Sequence, residues 1–275
     1  MSSDPSTPLD AKNYPQYLSL AYRVIQSLSG KPSQDQRMPD CQELAGKLFF
    51  HAASIYWLRQ GTKAPLPGSG VEASFFDLTS TSVLVRACLD TYLTLFDVFF
   101  NHSSDDEFEF KHAMWRLAGE AVREHVVPSE PSLMDSYLLA QQEIKHLRAR
   151  LQATTAFQSL TPKQQRKALA GIRHADWTAT AMAAGFGQKM IRELRAFYSS
   201  HVHADGLSAG QVVGSDSATT QIEHIEMDMA TTMIILSKFI CLYADHFPGA
   251  LAECDRSSDI FHRAQVLAGA AALIP

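Results

Sequence analysis

Apolar residues recur along most of this chain at steps of three and four, the spacing that lines one face of an α-helix. Leu18, Ala21, Ile25 and Leu28 do so over residues 14–29, with Gly30 as the stop. Residues 31–39 read as a polar connector. Asp40, with Glu43 three residues on, predicts a capping box that opens a second helix. Its buried stripe is Leu44, Leu48, Phe49, Ala52, Ile55 and Tyr56. The Pro and Gly content of 62–70 predicts a loop. Residues 78–100 are apolar on most sides, with Val83, Leu84, Ala87, Cys88, Leu93, Phe96, Phe99 and Phe100, so this helix is expected at the centre of its domain.

The same pattern continues to the C-terminus. Met114, Trp115, Leu117, Ala118 and Val122 predict a fourth helix, and Leu139, Ile144, Leu147 and Leu151 a fifth, capped by Ser132 and Asp135. Thr161-Pro162, with Gln164 at the box position, is a strong start signal for a short basic helix. Further helices are predicted over about 176–185, 187–201, 217–246 and 258–272. Alternation of period two is sustained nowhere, and GQVVG (210–214) is the one strand-like fragment. The fold class is therefore all-α, a multi-helix bundle of about eight to ten helices. It is read as a single helical domain over 1–275, with 154–161 the best place for a subdivision.

Composition narrows the function classes without choosing one. Of 275 residues 46% are hydrophobic and 19% charged, which excludes a disordered chain. A net charge of −5 gives no global basic field for nucleic acid or an anionic membrane. Cys41, Cys88, Cys241 and Cys254 are scattered without a CxxC pair, as expected of reduced thiols in a cytoplasmic protein. The N-terminus MSSDPSTPLD lacks a basic region followed by an apolar run, so no secretory signal is expected. Charges interrupt both apolar stretches, 83–100 and 229–243, so no membrane span is expected. There is no P-loop, GxGxxG, HExxH or G-x-S-x-G, and no cofactor is expected.

Candidate chemistry concentrates in RAFYSSHVHAD, Arg195 to Asp205, at the end of a helix that runs into a Gly-containing loop. Six residue steps put Arg195 and His201 about 240° apart on an ideal helix, so they converge if the helix frays or turns before His201. An imidazole titrating near neutrality suits a general base or acid, and a guanidinium suits a phosphate that gains charge. Such a pair fits cleavage of RNA by its own 2′-hydroxyl, which needs no metal. Arg195, five residues and His201 resemble the signature of the HEPN ribonucleases, helical bundles of toxins and antiviral defence. That family commonly has a polar residue where this chain has Ala196. The resemblance implies a metal-independent endoribonuclease acting as a homodimer on RNA, with Arg195 on the phosphate and His201, or His203 in its place, moving the proton. The segments LVRACLDTYLTLF (84–96) and YSSHVHA (198–204) also resemble an uncharacterised group of helical bacterial proteins.

Other polar residues are expected to support that site or to explain themselves structurally. Arg86, Asp90 and Asp97 share one stripe of an apolar helix, either as an internal salt bridge or with Asp90 orienting the site and Arg86 binding phosphate. Tyr198 is expected beside them in the same supporting role. His201-x-His203-x-Asp205, with Glu223, His224 or Glu226, offers a metal alternative, but no metal is assigned. Glu223, Glu226 and Asp228 read more simply as a solvated helix face. KQQRK (163–167) with Arg148, Arg150, Arg173 and His174 forms the one basic cluster, either a nucleic-acid contact or a solvated face. Trp115, Trp177 and the many Phe residues fall at core spacing. The alternative to a nuclease is a non-catalytic helical module that binds a protein partner or a ligand.

Overall fold

The computed structural model describes residues 9–30, 37–173, 176–203 and 218–273. The fold is all-α. Its helices are α1 (Tyr14–Gln26), α2 (Arg37–Leu58), α3 (Leu78–Phe99), α4 (Asp105–Glu120), α5 (Met134–Ala153), α6 (Thr155–Gln158), α7 (Pro162–Leu169), α8 (Trp177–Ala183), α9 (Gln188–Val202), α10 (Ala218–His246), α11 (Pro248–Asp255) and α12 (Ser258–Leu273). Among the described residues the only strands are β1 (Thr62–Leu66) and β2 (Val71–Phe75), an antiparallel hairpin in which Thr62 faces Phe75. This hairpin replaces the loop expected at 62–70. Its tip is possible because Gly68 and Gly70 take positive φ, which a side chain disfavours. GQVVG lies outside the described residues.

Contacts divide the chain into two units, Met1–Leu93 with Ala181–Pro275, and Thr94–Thr180. In the first, α10 packs against α1, α2, α11 and α12. Residues 231–237 of α10 are all buried, including Thr231, Thr232 and Ser237, so this helix is enclosed on every side at its middle. Tyr14 is fully buried and donates to the carbonyl of Ala52 at 2.9 Å, tying α1 to α2. α2 starts at Arg37, three residues before the expected cap at Asp40. Pro39 then falls within the first turn, where a missing N–H costs nothing.

The second unit is built on α4 and α5. Met114, Leu117, Ile144, Leu147, Leu151 and Phe157 form its core, the helical spacing read from sequence. Thr154 accepts from the Phe157 N–H and caps α6, inside the segment 154–161. At Thr161 the capping box forms as expected, with Pro162 at the first helical position. Gly171 closes α7 with φ of 72°, and a Cβ there would lie 2.8 Å from that of Ala121. Only glycine fits this approach of chain to helix.

Candidate functional site

The site grows from α9, whose buried face carries Met190, Ile191, Tyr198 and His201. The helix keeps its course through Val202, so no turn falls between Arg195 and His201. His201 is 5% exposed and its ring lies 5.3 Å from that of Phe197. His203 is the exposed C-cap residue, and its N–H bonds the Ser199 carbonyl at 3.0 Å. Arg195, Ser199 and His203 follow one another at steps of four, a stripe drifting about 40° per step. Thus His203, rather than His201, shares a solvent-reaching side of α9 with Arg195. Arg195 Nε is buried and has no hydrogen-bond partner among the described residues.

Tyr198 lies between these residues in sequence and is 1% exposed. Its hydroxyl donates to Thr231 Oγ1 of α10 at 3.2 Å, and burial holds its pKa well above the ordinary phenol value. Thr231 lies three residues from Asp228, a carboxylate only 2% exposed. Thr81 and Ser82 of α3 donate to Asp228 Oδ2 at 2.8 and 3.0 Å. Burial pushes the Asp228 pKa up to about 6, although Thr81, Ser82, Tyr198 and the charge of His224 favour its ionised form. Its Oδ1 has no partner among the described residues. Asp228 is therefore not on a solvated face, as the sequence pattern suggested. It is received into the interior by two hydroxyls from α3.

One turn along α3 from Ser82 stands Arg86. Its Nε bonds Asp90 Oδ2 at 2.8 Å, so the i, i+4 salt bridge is formed, with the Asp90 side chain 39% exposed rather than internal. Arg86 Nη1 is buried and unpartnered among the described residues. Asp97 does not join this group and instead pairs with Lys111 and Arg173 of its own unit.

The other candidate sites come apart. Arg148 forms two hydrogen bonds to Glu124 and Arg150 two to Glu109, while Arg173 packs 5.7 Å from the Trp177 ring. What remains of the basic cluster is an open cavity of about 470 Å³ lined by Thr161, Lys163, Gln164 and Lys167. His174 and Asp205 lie outside the described residues. Among the described residues no group of three His, Cys, Asp or Glu could hold a metal ion, and Glu226 accepts from Arg59 at 3.1 Å. No described helix is long and apolar enough to cross a membrane. No protein-family model matches the chain, and no curated protein or solved structure matches it.

Proposed function

We propose that the protein is a metal-independent endoribonuclease, working as a homodimer, with its site along the C-terminal half of α9. The observation that carries this reading is the Arg195–Ser199–His203 stripe. It sets a guanidinium with a buried, unpartnered nitrogen and an exposed imidazole on one side of one helix. Arg195 binds the scissile phosphodiester and stabilises charge gathering on its oxygens. His203 takes the proton of the ribose 2′-hydroxyl as O2′ bonds to phosphorus. The P–O5′ bond breaks, O5′ leaves with a proton from water, and the products are a 2′,3′-cyclic phosphate and a 5′-hydroxyl. Asp228 with Thr81 and Ser82 ties α10 to α3, and Tyr198 with Thr231 ties α9 to α10, so the stripe stands on fixed helices. His201 acts from the interior as a positioning residue, and Arg86, braced by Asp90, is a second cation for the phosphate.

The test is incubation of structured and single-stranded RNA with the full chain in EDTA. The wild type should cleave, and Arg195→Ala and His203→Ala should each lose about 100-fold or more. No cleavage by the wild type, or cleavage that persists in both variants, overturns the proposal. Activity abolished by EDTA alone points to a metal-dependent hydrolase instead. A second reading, a non-catalytic ligand-binding module, is favoured by the deep burial of His201 and Asp228, which packing alone accounts for. It predicts RNA left intact under every condition.

A further inference from the structure

The outer face of α2 carries two aromatic rings where a solvated helix carries polar groups. Glu43, Lys47, Phe50, Ser54 and Trp57 are all exposed, at alternating steps of four and three that form one straight seam. Phe50 is 67% exposed and Trp57 65%. Both rings are braced from behind. Phe49 meets Phe50 edge-on at 6.0 Å and itself rests on Tyr22, while Tyr56 meets Trp57 at 5.7 Å and lies parallel to Tyr14.

We infer that this seam is where the chain pairs with a second copy of itself, α2 against α2 and antiparallel. Large and small positions on the seam are self-complementary. Pairing about Ala52 places position 50 opposite 54, and position 47 opposite 57, of the other copy. Phe50 then meets the second copy's Ser54, a small residue whose hydroxyl is already spent on the Phe50 carbonyl of its own helix at 2.8 Å. Lys47 then lies over the indole of the second copy's Trp57, a cation–π contact that the two-fold axis makes twice. The antiparallel direction also sets the acidic Glu43 end against the end that leads to the exposed Lys63. The four rings offer about 500 Å² to the contact, taking side chains of about 150–250 Å² at two-thirds exposure. That is the apolar centre of a small interface, below the size of a standard stable one, so pairing is expected to be weak and to depend on concentration. This inference names a surface for the homodimer of the proposed function, and it rests on the seam and not on the catalytic residues of that reading.

Sedimentation equilibrium of the full chain across about 1 to 200 µM tests it. The mass should rise from 30.4 kDa toward twice that value. Trp57→Glu and Phe50→Glu alter exposed positions and should keep the helical circular dichroism while raising the dissociation constant tenfold or more. Lys47→Glu should weaken pairing and Lys47→Arg should retain it, a contrast that a merely sticky apolar face would not show. A wild type that stays at 30.4 kDa overturns the inference, whether or not the seam binds RNA or lipid. So does a dimer that none of the substitutions weakens. The readout is mass, so an inactive protein that pairs through α2 upholds it, and an active monomer sinks it.

Discussion

Among the described residues the two units differ in how completely their buried polar atoms find partners, although both hold ion pairs. In Thr94–Thr180 several half-buried charges are matched: Arg148 to Glu124, Arg150 to Glu109, Lys111 to Asp97 and Glu107, and Asp106 to the N–H groups of Thr155 and Ala156. Among its described residues a single buried side-chain atom, Glu120 Oε2, lacks a hydrogen-bond partner. The other unit leaves Arg59 Nε, Arg86 Nη1, Arg195 Nε and Asp228 Oδ1 buried and unpartnered among the described residues. A buried polar atom without a partner costs about 1–3 kcal/mol, so such atoms persist where something other than stability retains them. Under the proposed function, the unit that holds Arg195 and Arg86 carries the site, and Thr94–Thr180 does not.

That contrast is open to breakage by substitution, starting with the largest effect. Replacing Arg195 by Met should cut RNA cleavage about 100-fold or more, yet leave the melting temperature unchanged or higher, since a buried unpaired donor is removed. A large drop in melting temperature would mean that Arg195 is structural. Asp228 comes next. Its folded pKa, about 6, lies above the ordinary 3.8, so between those values the folded state holds a proton that the unfolded chain has released. Stability from this group is therefore fully present below 3.8 and falls as pH rises through about 6, by about 3 kcal/mol. Urea unfolding should show the wild type losing that amount relative to Asp228→Asn between about pH 3.5 and pH 7. A difference that does not vary with pH would place the carboxylate in water.

Two smaller effects sharpen the other side. Gly171→Ala should lower stability of the second unit by about 1–3 kcal/mol in thermal unfolding, because the position combines positive φ with a contact that a methyl group cannot make. Arg148→Met should cost about 1 kcal/mol in urea, the upper end for a half-exposed pair, here made with two hydrogen bonds. If this change costs less than Arg195→Met, the two units do not differ as described.

Much of the helical framework was legible because its signals are local. The Thr161-Pro162-Gln164 start, the core spacing of α5 and the span of α3 need only neighbours in sequence. The hairpin was hidden because Lys63, Pro65, Glu72, Ser74 and Phe75 are exposed, so no alternation marks a buried face, and Pro with Gly reads as loop. α11 was missed for its length, a mere eight residues behind Pro248. At the site, the spacing of Arg195, Tyr198, His201 and His203 was visible, and the Arg86–Asp90 bridge followed from four-residue spacing. The burial of Asp228 was not, since it depends on Thr81 and Ser82 arriving from 146 or more residues away. Phe50 shows the converse: read with the many Phe residues as core by its spacing, it stands on the outside of α2, beside the exposed Trp57.

The chemistry of the cut ends tests the central claim most directly. A short RNA incubated in EDTA with the full chain, and followed by phosphorus NMR, should develop the signal of a 2′,3′-cyclic phosphate with the wild type and none with His203→Ala. An unchanged spectrum with the wild type, or the same signal at the same rate from His203→Ala, would contradict the account.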